Sequence, residues 1–214
     1  NFEVGGFIRS DVGVEHPDLQ YHFFPMAVRY DGKSPTAAHG FQAHVGPMRS
    51  QSKGFVELDP SNPGRAPRVV FNYMSDPQDW KEFRSAVRLT REIFSQNALA
   101  EYAGKELSPG KNIQSDDEID TFVRGAVESA YHPCGTCKMG SDNMSVVDGN
   151  CRLIGFDGLT IADSSIIPSI VSGNLNAPTI MIAEKAADLL CGKESLQPQS
   201  PVFFRAKNYD SSQR

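Results

Sequence analysis

A helix predicted between Pro178 and Leu190 sets the strictest condition on the fold, because it is apolar on nearly every side. Asn176 is predicted to be its N-cap, and Gly192 stands where a glycine commonly follows a helix. A helix without a polar face is normally buried in a larger body. We therefore expect this segment to pack against more protein, either in the same polypeptide or in a second copy that forms a homodimer.

The first 73 residues show the pattern of an antiparallel sheet. Short apolar runs are separated by glycine, proline and aspartate, and two of the runs alternate between apolar and polar residues, as half-buried strands do. We predict strands over residues 19–30, 41–45, 54–58 and 68–71, with a turn at Asp31-Gly32 that closes the first.

Two amphipathic helices are predicted next. Asp76-Pro77 supplies an N-cap and a first-turn proline, and the apolar face that follows extends to Phe94. Ser115 and Glu118 form a capping box before a second helix, which leads the chain to His132. Three arginines of the first helix are interpreted as its solvated flank rather than as an anion-binding site: Arg84, Arg88 and Arg91.

Beyond residue 140, two more strands are predicted over residues 151–154 and 159–162, ahead of the apolar helix. From Lys193 the chain becomes polar and contains prolines, which is typical of a mobile tail. Together these patterns predict an α+β fold, in which helices flank an antiparallel sheet and a later strand and helix follow it.

The composition narrows the class of partner. The chain has 214 residues and a formal net charge of −5, and without a basic surface it is not expected to bind nucleic acid. No stretch approaches the roughly 18 apolar residues of a membrane span. The four cysteines are interpreted as reduced thiols, which predicts a cytoplasmic location, either free or at the surface of the inner membrane.

His132 is the first candidate for chemistry. It lies between Ala130 and Gly140, where Pro133 and Gly135 force a tight backbone. A histidine in such a position can take or give a proton. The tight backbone weakens the default interpretation of a packed or surface histidine, and both that interpretation and a catalytic role stay open on these residues alone.

Cys134 and Cys137 suggest two other kinds of site. Their spacing fits half of a zinc deaminase signature and also fits a redox pair. The chain contains no His-x-Glu, which the deaminase needs, and no second ligand pair accompanies His132 and the two cysteines, as a structural zinc site would require. We therefore expect no metal here.

Two asparagines precede the apolar helix, Asn174 and Asn176. The N-terminal end of a helix carries partial positive charge and favours anions, and a carboxamide can hold an oxygen that becomes negative during a reaction. Asn176 also suits a plain capping role. His22 lies inside the first predicted strand, where a histidine is by default part of the sheet.

Three stretches resemble the C-terminal signature of the glucose–methanol–choline flavoprotein oxidoreductases. They are His132-Pro133-x-Gly135-Thr136-x-x-Met139-Gly140, residues 159–168, and Asn174-x-Asn176-Ala177-Pro178-Thr179 with the helix that follows. Residues 71–75 and 106–110 are most similar to the choline-oxidising members. The resemblance extends from Asn1 to about Leu190 and does not cover the tail.

The resemblance implies an FAD-dependent alcohol oxidoreductase whose substrate is choline and whose product is betaine aldehyde. It implies that His132 and Asn174 form the catalytic pair and that His22 belongs to the wall of the substrate site. Contacts with FAD, largely through the backbone, are expected from four residues: Asp163, Asn176, Pro178 and Thr179.

The resemblance also implies a division of the chain. Residues 1–140 would belong to a substrate-binding domain, residues 141–192 would return to complete an FAD-binding domain, and residues 193–214 would form a polar tail. The family's Gly-x-Gly-x-x-Gly, which holds the FAD pyrophosphate, has no counterpart. We expect a C-terminal piece of an enzyme that is inactive by itself, and the rival interpretation is an inert or partner-binding module. Oxidase and dehydrogenase activities are not distinguished.

Overall fold

Five strands and three α-helices make up the regular secondary structure of residues 2–28, 39–203 and 205–213, which the computed structural model describes. Two short 3-10 helices complete the set within these ranges. The predicted turn at Asp31-Gly32 lies outside the described residues. No helix in the described ranges is long and apolar enough to cross a membrane.

The chain divides into two units, and the division differs from the predicted domain boundaries. The first unit consists of Asn1–Gln51, Met74–Glu128 and Arg205–Arg214, and the second of Ser52–Tyr73 and Ser129–Phe204. Residues 52–73 therefore belong to the same unit as residues 129–204. The assignment of residues 1–140 and 141–192 to substrate and FAD domains stays a prediction.

An antiparallel sheet of three strands forms one layer of the first unit. The strands β1 (Val4–Ile8), β2 (Leu19–Phe24) and β3 (Gln42–Pro47) pair in that order. His22 of β2 lies directly opposite His44 of β3. The prediction of antiparallel strands in this part of the chain is confirmed.

Helix α1 (Pro77–Phe94) covers one face of this sheet. It begins as predicted, because the Asp76 carboxylate accepts the Gln78 N–H at 2.8 Å. The apolar face of α1 and alternate residues of the sheet form the core, whose buried members are Leu19, Tyr21, Ala86 and Leu89.

Helix α2 (Asp116–Ala126) begins at the predicted capping box, which is confirmed. Ser115 Oγ accepts the Glu118 N–H at 3.3 Å, and the Glu118 carboxylate accepts the Ser115 N–H at 2.9 Å. Two backbone donors that the helix leaves without partners are satisfied in this way. The helix buries Ile119 and Val123.

The arginines of α1 lie on its solvent-exposed flank, as predicted, and there they bind carboxylates of neighbouring segments. Arg84 donates to Asp120 of α2, and these hydrogen bonds hold the pKa of the Asp120 carboxyl below its usual range. Arg91 pairs with Glu106 at 2.9 Å. The apolar pattern of a helix cannot reveal these pairs, because the acidic partners lie on other segments.

The last described residues, which belong to the first unit, contact the loop between β1 and β2. The Tyr209 carbonyl accepts the Gly13 N–H at 2.6 Å, and Gln213 Nε2 donates to the Arg9 carbonyl at 2.7 Å. Residues 205–213 are thus joined to this loop by hydrogen bonds, and the mobility of the tail stays a prediction. A polar composition predicted mobility there, but it does not show which backbone groups can pair with another loop.

The second unit contains the hairpin of β4 (Phe55–Glu57) and β5 (Arg68–Val70) and the helix α3 (Asn176–Leu190). Its core is separate and consists of Val147, Cys151, Ile166 and Ala186. Ala186 is the one buried residue of α3, so a single side of this apolar helix is packed.

The strands predicted over residues 151–154 and 159–162 are wrong. A strand needs a neighbouring strand to satisfy its backbone groups. Within the described ranges these runs form only isolated bridges, of which one joins Arg152 to Thr160. The irregular segment still contributes Cys151 to the core of the second unit.

Gly54 allows the closest backbone contact of the β4–β5 hairpin. A Cβ added there would lie 1.8 Å from the Val70 carbonyl oxygen. We expect Gly54→Ala to lower the free energy of unfolding by about 3 kcal/mol, because the two backbone segments must separate. Denaturant unfolding measures this change.

Gly125→Ala is the matched control for this prediction. Gly125 lies in α2, and a Cβ there would meet nothing within 4 Å. The greater helix propensity of alanine should raise stability by about 0.5–1 kcal/mol. A Gly54→Ala protein as stable as the wild type would contradict the close approach.

Candidate active site

The loop that carries His132 is anchored to a short 3-10 helix, Ser164–Ile166, whose last residue is buried. The Cys137 N–H donates to the Ser165 carbonyl at 2.9 Å, and the Met139 N–H donates to the Ile166 carbonyl at 2.8 Å. Ile166 is 2% exposed and belongs to the core of the second unit. The loop is therefore held at fixed backbone positions only a few residues beyond His132.

Left-handed backbone conformations lie on both sides of His132. Tyr131 has φ +59°, which is uncommon for a residue other than glycine, and Ser129 Oγ accepts its N–H at 2.9 Å. Gly135 has φ +88°, and a Cβ there would lie 3.2 Å from the Ile167 carbonyl oxygen. The tight backbone predicted around His132 is confirmed, and Gly135 is needed both for its φ and for the close approach.

His132 and Asn174 meet in the second unit although 42 positions separate them in the sequence. Asn174 Nδ2 lies 3.0 Å from His132 Nε2. The next residue, Leu175, is 4% exposed and fixes the chain where Asn174 emerges. His132 is half-buried and Asn174 is exposed, so the pair can be reached from solvent.

The contact gives the pair complementary hydrogen-bonding groups. With the amide nitrogen directed at the ring, Asn174 donates and His132 Nε2 accepts, which requires an Nε2 without a proton. An unprotonated imidazole nitrogen can take a proton from a hydroxyl, and a carboxamide N–H can stabilise the oxygen left behind. The arrangement therefore suits chemistry on an alcohol oxygen.

The N-terminus of α3 is free of side-chain capping, which corrects the prediction for Asn176. The N-cap position is Leu175, and Asn176 is the first residue of the helix. Leu175 takes the helical backbone conformation with φ −80° and ψ −14°, so the helix starts one residue earlier than a capping asparagine would allow. Thr179 Oγ1 donates to the Leu175 carbonyl at 2.7 Å.

This helix end has the donors that an anionic group needs. The first turn contains no acidic residue, and the N-cap makes no side-chain hydrogen bond to the first amides. The partial positive charge of the 15-residue helix is concentrated there. Three of the four residues predicted to contact FAD lie in this first turn: Asn176, Pro178 and Thr179. The fourth, Asp163, lies elsewhere, and its carboxylate caps the 3-10 helix by accepting the Ser165 N–H at 2.8 Å.

His22 lies in β2 of the first unit, whereas His132 and Asn174 lie in the second. The rings of His22 and Phe2 have centroids 5.2 Å apart. The role of His22 as part of a substrate wall stays a prediction.

The two thiols that follow His132 are not paired with each other. Cys134 and Cys137 are free thiols, and burial raises the pKa of the Cys134 thiol, which disfavours the reactive thiolate. Among the described residues, no three histidine, cysteine, aspartate or glutamate side chains form a group that could hold a metal ion.

Sequence reasoning missed two residues that shape this region. Tyr131 has a strained backbone beside His132, and Leu175 anchors Asn174 in the core. For Leu175 the sequence contained a signal, because an apolar residue stands there between two asparagines. The left-handed conformation of a tyrosine has no comparable sequence signal.

Comparison with known proteins supports an assignment to a family. The GMC oxidoreductase family model matches residues 50–183, which include His132 and Asn174. The oxygen-dependent choline dehydrogenase of Brucella anthropi is 59% identical over 198 residues, which are 92% of this chain and 36% of that protein. The oxygen-dependent choline dehydrogenase of Escherichia coli O157:H7 is 53% identical over 206 residues, 96% of this chain and 37% of that protein.

Solved structures show the same fold. Pyridoxine 4-oxidase from Mesorbium loti matches with a TM-score of 0.81 at 28% identity, covering 89% of this chain and 38% of that one. A formate oxidase matches with a TM-score of 0.74 at 24% identity, over 83% of this chain and 32% of that one, which bears on the fold alone. The predicted fold class, with antiparallel sheets and helices, is confirmed.

The chain spans little more than a third of the length of the curated relatives it matches. The family match covers more than half of this chain and contains the His132–Asn174 pair. The chain belongs to the GMC oxidoreductase family.

Proposed function

We propose that this chain is the C-terminal part of an FAD-dependent choline dehydrogenase, which oxidises choline to betaine aldehyde on the route to glycine betaine. The observation that carries the proposal is the 3.0 Å contact between His132 Nε2 and Asn174 Nδ2. It lies within the matched family region of a chain 59% identical to an oxygen-dependent choline dehydrogenase. We propose a cytoplasmic location on the basis of the free thiols.

In this proposal His132 and Asn174 act on the hydroxyl oxygen of choline. His132 Nε2 takes the hydroxyl proton, and Asn174 Nδ2 donates a hydrogen bond to the oxygen as its negative charge develops. The alcohol loses a proton and a hydride as it becomes an aldehyde. Bound FAD would supply the hydride acceptor.

The N-terminus of α3 would hold the flavin. The backbone amides of two exposed residues, Asn176 and Ala177, and the positive end of the helix suit the negative charge of a reduced flavin ring. Pro178 and Thr179 complete this turn, and Asp163 would contribute through its backbone. His22 would line the choline site.

The outer side of α3 supports the view that more protein is needed. Ile180, Met181 and Leu190 are 55%, 59% and 69% exposed. Exposed apolar surface of this kind marks a contact with another part of a protein. We propose that the remainder of the polypeptide, or a second copy in a homodimer, covers it.

Anaerobic mixing of the full-length flavoenzyme with choline tests the proposed function. We expect choline to bleach the visible absorbance of the flavin and to yield betaine aldehyde in equal amount. Pyridoxine is the matched comparison, since a structural relative is a pyridoxine 4-oxidase. Bleaching by pyridoxine or another alcohol, without bleaching by choline, would contradict choline as the substrate. The assignment to the family would still stand.

A further inference from the structure

A hydrogen bond from the backbone fixes the orientation of the Gln42 side chain. The Val28 N–H donates to Gln42 Oε1 at 2.8 Å, so the oxygen end of the amide faces Val28. The nitrogen end then faces His44, and Gln42 Nε2 lies 2.7 Å from His44 Nε2. An amide nitrogen can only donate, so His44 Nε2 accepts and carries no proton. The network thus selects neutral His44 with its proton on Nδ1.

His44 shares a face of the sheet with His22. The two residues are directly opposite each other in the antiparallel pairing of β2 and β3. Tyr21 and Val45, one position away on each strand, pack into the core with α1, so the histidines point to the other face. The Phe2 ring lies against both, with centroids 5.2 Å from His22 and 5.7 Å from His44.

The surrounding groups also favour neutral His44. Burial lowers the pKa of His44, the neighbouring His22 imidazole lowers it further, and the Glu128 carboxylate raises it by less. A lowered pKa means that the neutral imidazole persists to more acidic pH than it would in an exposed histidine.

We propose that Gln42, oriented by the Val28 N–H, keeps His44 uncharged so that the sheet face carrying His22 admits a positively charged alcohol. The inference rests on the proposed function, because it takes His22 as part of the choline site. A protonated His44 would add a cation beside the quaternary ammonium group. Repulsion between like charges several ångströms apart in a partly buried site weakens binding by about tenfold.

Gln42→Met in the full-length enzyme tests this directly, because it removes the donor and keeps the length of the side chain. The measurement is kcat/KM for choline and for its uncharged isostere, in which carbon replaces the quaternary nitrogen, at about pH 8.5 and about pH 6. The choline-to-isostere ratio cancels any effect of pH on His132. We expect the ratio to fall, at the lower pH, about tenfold more in the variant than in the wild type. Equal ratios in the two proteins would overturn the proposal.

The double variant Gln42→Met, His44→Gln identifies the residue that acquires the charge. Glutamine cannot be protonated, so the ratio should change with pH only as it does in the wild type. A fall that persists in the double variant would show that the charge is not on His44 and would contradict the proposal. Recovery of the ratio also shows that loss of Gln42 has not simply damaged the sheet.

An NMR titration of the labelled His44 ring needs no turnover. We expect the pKa of His44 to rise in Gln42→Met, because the protonated ring no longer faces an amide donor. An unchanged pKa would overturn the proposed role of Gln42. If the wild-type enzyme failed to oxidise choline, the proposed function would be wrong, and this titration would still decide whether Gln42 keeps His44 neutral.

Discussion

Replacement of His132 by alanine in the full-length enzyme is expected to lower turnover with choline by at least about 10²-fold, with FAD still bound. A positioned general base contributes typically ~10²–10⁴ in rate, and alanine can neither take the hydroxyl proton nor contact Asn174. The loop itself should persist, because its anchors are the backbone hydrogen bonds of Cys137 and Met139, which this change leaves in place. Steady-state turnover and the flavin content of the purified variant are the two measurements.

His16→Ala is the matched control for this prediction. His16 lies in the first unit, in the loop between β1 and β2, and is half-buried as His132 is. His16 is not among the residues proposed for the substrate or flavin site, so its loss is expected to leave turnover unchanged. Near-normal turnover in His132→Ala would overturn the catalytic assignment.

The isolated 214-residue chain is expected to bind no FAD and to oxidise no choline, although its helices and sheets form. It holds the helix end of α3 and the His132–Asn174 pair, but it has no Gly-x-Gly-x-x-Gly to hold the pyrophosphate. One helix terminus contributes only about 0.3–1 kcal/mol to the binding of an anion at an exposed site. Flavin fluorescence during titration with the chain measures binding, and circular dichroism reports whether the chain is folded.

The full-length enzyme is the positive control in the same titration. A yellow preparation of the folded chain, with one equivalent of flavin, would show that FAD binding does not require the Gly-x-Gly-x-x-Gly motif. An unfolded chain would be a different failure, since the two units would then depend on further polypeptide for their structure.

The helices were predictable because their starting signals are local. Asp76 and Pro77 occupy consecutive positions, and Ser115 and Glu118 are three residues apart, so each cap is complete within one turn. The start of α3 was predicted incorrectly. Asparagine is a common N-cap residue, but the backbone conformation, which the sequence does not show, makes Leu175 the N-cap.

Pairing over long distances was not predictable from local patterns. Residues 151–154 and 159–162 have the composition of strands, but a strand exists only where a partner supplies hydrogen bonds, and the described residues give them single bridges. The contact of Arg84 with Asp120 and the register of His22 with His44 depend in the same way on how separate segments pack.

The candidate site was predictable only in part. Gly135 and Pro133 marked a tight backbone beside His132, and the structure shows why a glycine is needed there. The contact between His132 and Asn174 was implied by resemblance to a family, since nothing in residue spacing brings together two positions 42 residues apart. The orientation of Gln42 by Val28 needs coordinates, because it depends on which end of an amide faces a particular N–H.

A double-mutant cycle on the rate of flavin reduction by choline tests most directly whether His132 and Asn174 act as one unit. The four proteins are the full-length wild type, His132→Ala, Asn174→Ala and the double variant, each with FAD bound. Residues that act together on one oxygen are strongly non-additive, so the double variant should be about as slow as His132→Ala alone. A double variant slowed by the product of the two single effects would show independent roles and contradict the shared site.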